Sequence, residues 1–195
     1  MCCRRGRNLR AQTRRFAFAN SAKQTPILHE AQMTERDNFE TLSQDLLPSH
    51  YQDMDAVFQA WALFETALTM WLLALMEIED DIGRIIIDRL DTRAKLARIK
   101  EIYQHLGSED NAKVASTVVN KLEQWIKIRN TLAHKPRQGI NSAGTHLYFW
   151  TGKFLPGNRE EMDLIGINVA DLKKCAGFAS RTAAQIMQQV PRSVT

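Results

Sequence analysis

The stretch Trp125-Ile126-Lys127-Ile128-Arg129-Asn130-Thr131-Leu132-Ala133-His134-Lys135-Pro136 gathers the residues best suited to chemistry. Arginine presents a planar fork of donors that matches phosphate oxygens. Histidine can move a proton near neutral pH. Asn130 is placed to bond the imidazole and fix its tautomer. Lys127, Lys135 and Arg137 add positive charge around the pair. An arginine and a histidine in one small space point to a phosphate ligand. A satisfied polar cap at a helix end, with Arg129 paired to an acid such as Glu65 or Glu123, is the structural alternative.

These residues need a helix to position them. Val114, Val118, Leu122, Trp125, Ile126 and Ile128 recur at helical spacing and predict a helix over 109–133, capped by Ser108. Pro136 biases Lys135 away from the α region, so the helix should fray between Ala133 and Lys135. In an ideal helix Asn130 and His134 share a face. Arg129 lies about 140° from His134 at roughly 100° per residue, so a bend is needed to bring both onto one ligand.

The other elements emerge from the same periodicity. Residues 35–47 predict a short helix ended by Pro48, with Phe39, Leu42, Leu46 and Leu47 as its apolar side. Residues 53–79 predict the strongest helix, on Val57, Trp61, Phe64, Leu68, Trp71, Leu72, Leu75 and Met76. Its apolar run is long, but Glu65 lies within it and Glu77, Glu79, Asp80 and Asp81 crowd its end, which favours a core helix over a membrane span. Glu65 shares a face with Trp61 and Leu68. It either positions Arg129 or sits half-exposed at the edge of the stripe.

Ile85-Ile86-Ile87 suits a strand by composition, yet between two helices a short helical segment over 82–90 is expected. Asp91 caps a helix over 91–106 that Gly107 ends, and His105 in its last turn suits the helix dipole. Residues 145–154 and 161–167 are rich in β-formers, with a Pro156-Gly157-Asn158 turn between them, and predict a hairpin. Asn168 caps a last helix over 169–190. The expected fold is all-α, a four- to five-helix up-and-down bundle with a small β-hairpin inserted before the last helix.

Composition limits the function classes. Residues 1–32 carry 7 basic residues and one acid, a net +6; the remaining 19 basic and 21 acidic residues give −2. The sequence pI of 9.1 therefore reflects the first 32 residues and does not mark the body as a nucleic-acid binder. Residues 1–32 read as an ill-ordered basic tail, with a transit peptide, a basic arm or a leader before a true start at Met33 as alternatives; residues 33–195 form the folded domain. The 3 Cys form neither a disulfide framework nor a zinc site and fit a reducing cytosol. The 5 His include no pair at ligand spacing on one helix, so no metal and no cofactor are expected.

The run Arg129-Asn130-Thr131-Leu132-Ala133-His134 resembles the Arg-(four to six residues)-His motif of the HEPN superfamily, the higher eukaryotes and prokaryotes nucleotide-binding domains. The resemblance extends over roughly residues 53–190. It implies a bundle of four or five helices with the motif at the end of the penultimate long helix. It also implies a metal-independent endoribonuclease acting on single-stranded RNA, of the toxin or defence type. A homodimer would bring two motifs into one composite site. Arg129 and His134 would then be the catalytic pair and Asn130 the organiser. A cognate antitoxin or nucleotidyltransferase would be the partner, in the cytoplasm. Some members of the superfamily are inactive and serve as RNA-binding or assembly modules. One toxin subgroup has a tyrosine two residues after the histidine; Pro136 stands there instead, so no modified tyrosine is expected at that place.

Overall fold

A computed structural model describes residues 42–155, 157 and 162–190. Among them the chain is mostly helical, with five helices and a three-stranded antiparallel sheet before the last helix. The predicted basic tail, and residues 35–41 of the predicted first helix, lie outside the described residues.

Helix α1 spans Pro48–Met76. Pro48 begins it, where a helix ended by Pro48 was expected. A proline ring fixes φ for the first helical turn and needs no N–H there. The same ring drives the preceding residue into extended backbone, and Leu47 has ψ 150°. The Leu47 N–H donates to His50 Nδ1 at 3.2 Å, closing the turn. Residues 42–47 are not helical, and Ser43 pairs in both directions with Ile140 (3.0 and 2.9 Å).

Helices α2 (Asp80–Ile87) and α3 (Thr92–His105) come next, where helical segments were expected. Asp91 caps α3 by accepting from the Ala94 N–H at 2.7 Å. Gly107, just past α3, takes φ +68°, the left-handed conformation that glycine adopts without strain. Helix α4 spans Glu109–His134. Ser108 precedes it without a side-chain cap; its hydroxyl accepts from Asn111 Nδ2 at 3.0 Å instead. Helix α5 spans Val169–Gln189, capped by Asn168, whose side chain accepts from the Ala170 N–H at 2.8 Å.

The apolar stripes meet in one core. Helix α1 lies mainly along α5, and α3 lies against α4 and α1. Phe178 of α5 joins two other helices, with ring centroids 6.2 Å from Phe64 and 6.3 Å from Trp125. Trp71 donates to the Tyr103 hydroxyl at 2.9 Å, tying α1 to α3 inside the core. Helix α1 is long and apolar enough to cross a membrane by length and composition, but more than half of its most apolar window is buried inside this fold.

The expected hairpin is part of a larger sheet. β1 (Arg137–Ile140), β2 (His146–Phe154) and β3 (Met162–Asn168) run antiparallel in the order β1-β2-β3. The third strand was hidden because Arg137-Gln138-Gly139-Ile140 is short and mostly polar. Gly139 has φ +148°, and a Cβ there would stand 2.7 Å from the Ser43 carbonyl oxygen. Leu147, Phe149, Ile140 and Ile167 face the helices and complete the core.

Candidate functional site

The α-helical hydrogen bonding of α4 continues through His134. The Lys135 N–H still donates to Thr131 O at 3.0 Å, while Lys135 itself is extended (φ −107°, ψ 134°) under the constraint of Pro136. The end falls where the proline placed it. The bend that would turn Arg129 toward His134 is absent, since regular helix runs through both residues.

Helical geometry then sorts the candidates by face. Lys127, Asn130 and His134 stand at positions i, i+3 and i+7 and form one stripe. All three are exposed. Arg129 starts from another side of the helix, about 140° from His134, and is half-buried. Asn130 connects the two sides, because its Oδ1 accepts from Arg129 Nη1 at 3.1 Å. The expected bond from Asn130 to the imidazole is replaced by this one, since the amide is adjacent in sequence to the guanidinium. Arg129 Nε is buried and has no hydrogen-bond partner among the described residues. An unsatisfied buried donor is rare in a folded chain and costs about 1–3 kcal/mol.

Glu65 does not support this site. Its carboxylate accepts from the Thr92 hydroxyl and pairs with Lys95 Nζ at 3.2 Å. Both partners belong to α3, so Glu65 ties α1 to α3 and leaves Arg129 alone. Glu123 is also committed elsewhere, in a two-pronged pair with Arg93 at 2.7 Å for each prong. Neither acid that could have neutralised Arg129 does so.

The flanking cations differ in their surroundings. Lys135 is half-buried. Arg137 lies over the Tyr51 ring, 5.6 Å from guanidinium carbon to centroid, with a long 3.5 Å contact from Nη1 to the Tyr51 hydroxyl. A cation over an aromatic face is held electrostatically. Tyr51 is half-exposed on the first turn of α1, and no sequence signal linked it to Arg137.

Among the described residues, three groups titrate away from their ordinary values. Burial pushes the Cys175 thiol up to about 12, with Asp171 adding to the effect. Burial also raises the Tyr103 hydroxyl, partly offset by its bond from Trp71. The hydrogen bonds and charge of Glu123 raise Arg93. Among the described residues no three His, Cys, Asp or Glu side chains cluster as metal ligands would.

Chemically, Lys127 and His134 on the exposed face of α4 can meet an anion, while Arg129, about 140° away, is tied to that face only by its bond to Asn130. A helix C-terminus disfavours negative charge, so side-chain cations must supply the attraction. No family model, curated protein or solved structure matches the chain.

Proposed function

We propose that the chain is a metal-independent endoribonuclease of the HEPN type that cleaves single-stranded RNA at the end of α4. The reading rests on the resemblance of residues 129–134 to the family motif. One observation carries it furthest: among the described residues Arg129 has no acidic partner and its Nε has no hydrogen-bond partner, and it is joined through Asn130 to the face that carries exposed His134. In this reading the helices form an up-and-down bundle, and two copies meet so that each supplies one motif to a composite site.

The chemistry needs only these side chains. The ribose 2′-oxygen attacks the adjacent phosphorus, a P–O2′ bond forms, and the P–O5′ bond breaks. One imidazole takes the 2′ proton and the other gives a proton to the leaving 5′-oxygen. Arg129 neutralises charge growing on the non-bridging oxygens. Asn130 orients Arg129, and Lys127, Lys135 and Arg137 hold the flanking backbone. A cytoplasmic toxin or defence role, with an antitoxin or nucleotidyltransferase partner, belongs to the same proposal.

A specific observation favours a second reading. Arg129 and His134 arise from faces of α4 about 140° apart, which suits a non-catalytic module that binds RNA, nucleotide or protein. The test is cleavage of RNA in EDTA. The nuclease leaves a cyclic phosphate and loses roughly 10²- to 10⁴-fold in rate on His134→Ala. RNA binding without cutting, weakened by Arg129→Ala, would select the second reading.

A further inference from the structure

The sheet presents an aromatic surface that begins where α4 ends. Along β2, Leu147 and Phe149 are buried, while His146, Tyr148 and Trp150, which alternate with them, stay partly exposed. The two-residue period of a strand puts Tyr148 and Trp150 on the face turned from the core. Gly166 stands opposite Tyr148, and a Cβ there would lie 3.3 Å from the tyrosine ring. The missing side chain leaves the ring room. Trp150 contacts Phe154, with centroids 5.8 Å apart, and anchors its indole N–H on Lys153 O at 2.8 Å. Phe154 is 49% exposed, an unusual setting for that side chain.

The strand that carries these rings is joined to the end of α4 through the backbone. The Trp150 backbone N–H donates to Pro136 O at 2.9 Å. Pro136 lies between Lys135 and Arg137 and comes two residues after His134. Lys153 is exposed on the other side of Trp150. The Trp150 backbone thus meets the segment that holds Lys135 and Arg137, and its indole meets the Lys153 backbone.

We propose that Tyr148, Trp150 and Phe154 form a stacking track for the bases of single-stranded RNA, whose phosphates are held by Lys135 and Lys153. This inference rests on the RNA reading of the α4 end and extends it. Rings with exposed faces stack on any base, so the track selects unpaired strands without selecting sequence. Duplex RNA keeps its bases stacked on each other and cannot reach the rings. The track explains how an acidic body could hold RNA: base stacking contributes affinity that the local charge alone does not.

The test uses the full chain carrying His134→Ala, so that RNA is bound rather than cut, with EDTA present. A single-stranded oligouridylate and inorganic polyphosphate are the probes, because polyphosphate has the charge but no bases. Trp61, Trp71 and Trp125 are buried, so ligand quenching of tryptophan emission reports Trp150. Oligouridylate should quench, and polyphosphate should not. Phe154→Ala and Trp150→Leu should each weaken oligouridylate binding roughly 5- to 150-fold, leaving polyphosphate binding unchanged. Phe154 is exposed, so its variant should fold even if Trp150→Leu disturbs Leu164, its partner on β3.

Undiminished RNA affinity in both variants, with Lys135→Ala still weakening it, would overturn the track and leave the α4 site standing. Failure of the wild type either to bind or to cut RNA would overturn the proposed function itself.

Discussion

Glu65→Ala separates a structural role for this carboxylate from a role at the α4 end. Its oxygens accept from the Thr92 hydroxyl and from Lys95 Nζ at 3.2 Å, and Lys95 has a second bond, to Thr69 Oγ1 at 3.0 Å. The Lys95 side chain is 7% exposed and that of Glu65 30%. Removing one partner of a fully buried pair costs about 3–5 kcal/mol, because the other charge is left without compensation. Here Thr69 keeps hold of Lys95 and water reaches Glu65, so the expected cost is about 2–3 kcal/mol. At about 2–4 °C per kcal/mol for a chain of this size, Tm should fall by roughly 4–12 °C. Lys95→Met added to Glu65→Ala should cost less than the sum of the singles, since the double variant has no orphan charge. Urea unfolding followed by circular dichroism measures all three. RNA cleavage by Glu65→Ala, assayed well below its Tm, should match the wild type. A cost under about 0.5 kcal/mol would refute the burial argument. Lost cleavage with intact stability would return Glu65 to the functional site.

Burial pushes the Cys175 thiol up to about 12 from an ordinary 9.0. The folded state therefore holds its proton longer than the unfolded chain does. The resulting stability is complete below pH 9 and is lost as pH rises toward 12, so urea midpoints should fall across that window, and fall less steeply in Cys175→Ala. A Cβ on Gly83 would overlap Leu73 Cδ2, and Leu73 is 1% exposed with no room to yield. Gly83→Ala should thus destabilise by about 1–3 kcal/mol in urea, despite the better helix propensity of alanine. Asn168→Ala removes the α5 cap and should cost about 1 kcal/mol by the same measurement.

The sequence was most legible where one face of a helix alone decides the outcome. The stripes from Val57 to Leu72 and from Val114 to Ile128 located α1 and α4. Asp91 and Asn168 were recognisable as caps because their side chains bond the backbone locally. Pro48 was misread because proline both ends and begins helices. The distinction lay two residues downstream, where His50 accepts from Leu47 and closes a first turn. β1 escaped notice because a strand of four mixed residues has no period to detect, and Ser43, which pairs beside it, is distant in sequence. Asn130 and His134 were placed on one face correctly, since that needs only the pitch of the helix. The partners of Glu65 were out of reach, because a helical wheel gives a direction but not the neighbour that fills it. Arg137 over Tyr51 and Trp150 beside Pro136 are likewise tertiary contacts.

The proposed function stands or falls on whether Arg129 and His134 cleave RNA without a metal. The measurement that meets it most directly is incubation of the full chain with a mixed cellular RNA pool in EDTA, beside Arg129→Ala and His134→Ala forms of equal folded content. The wild type alone should cut, leaving 2′,3′-cyclic phosphate ends. Equal cutting by all three forms, or cutting that EDTA abolishes, would contradict it.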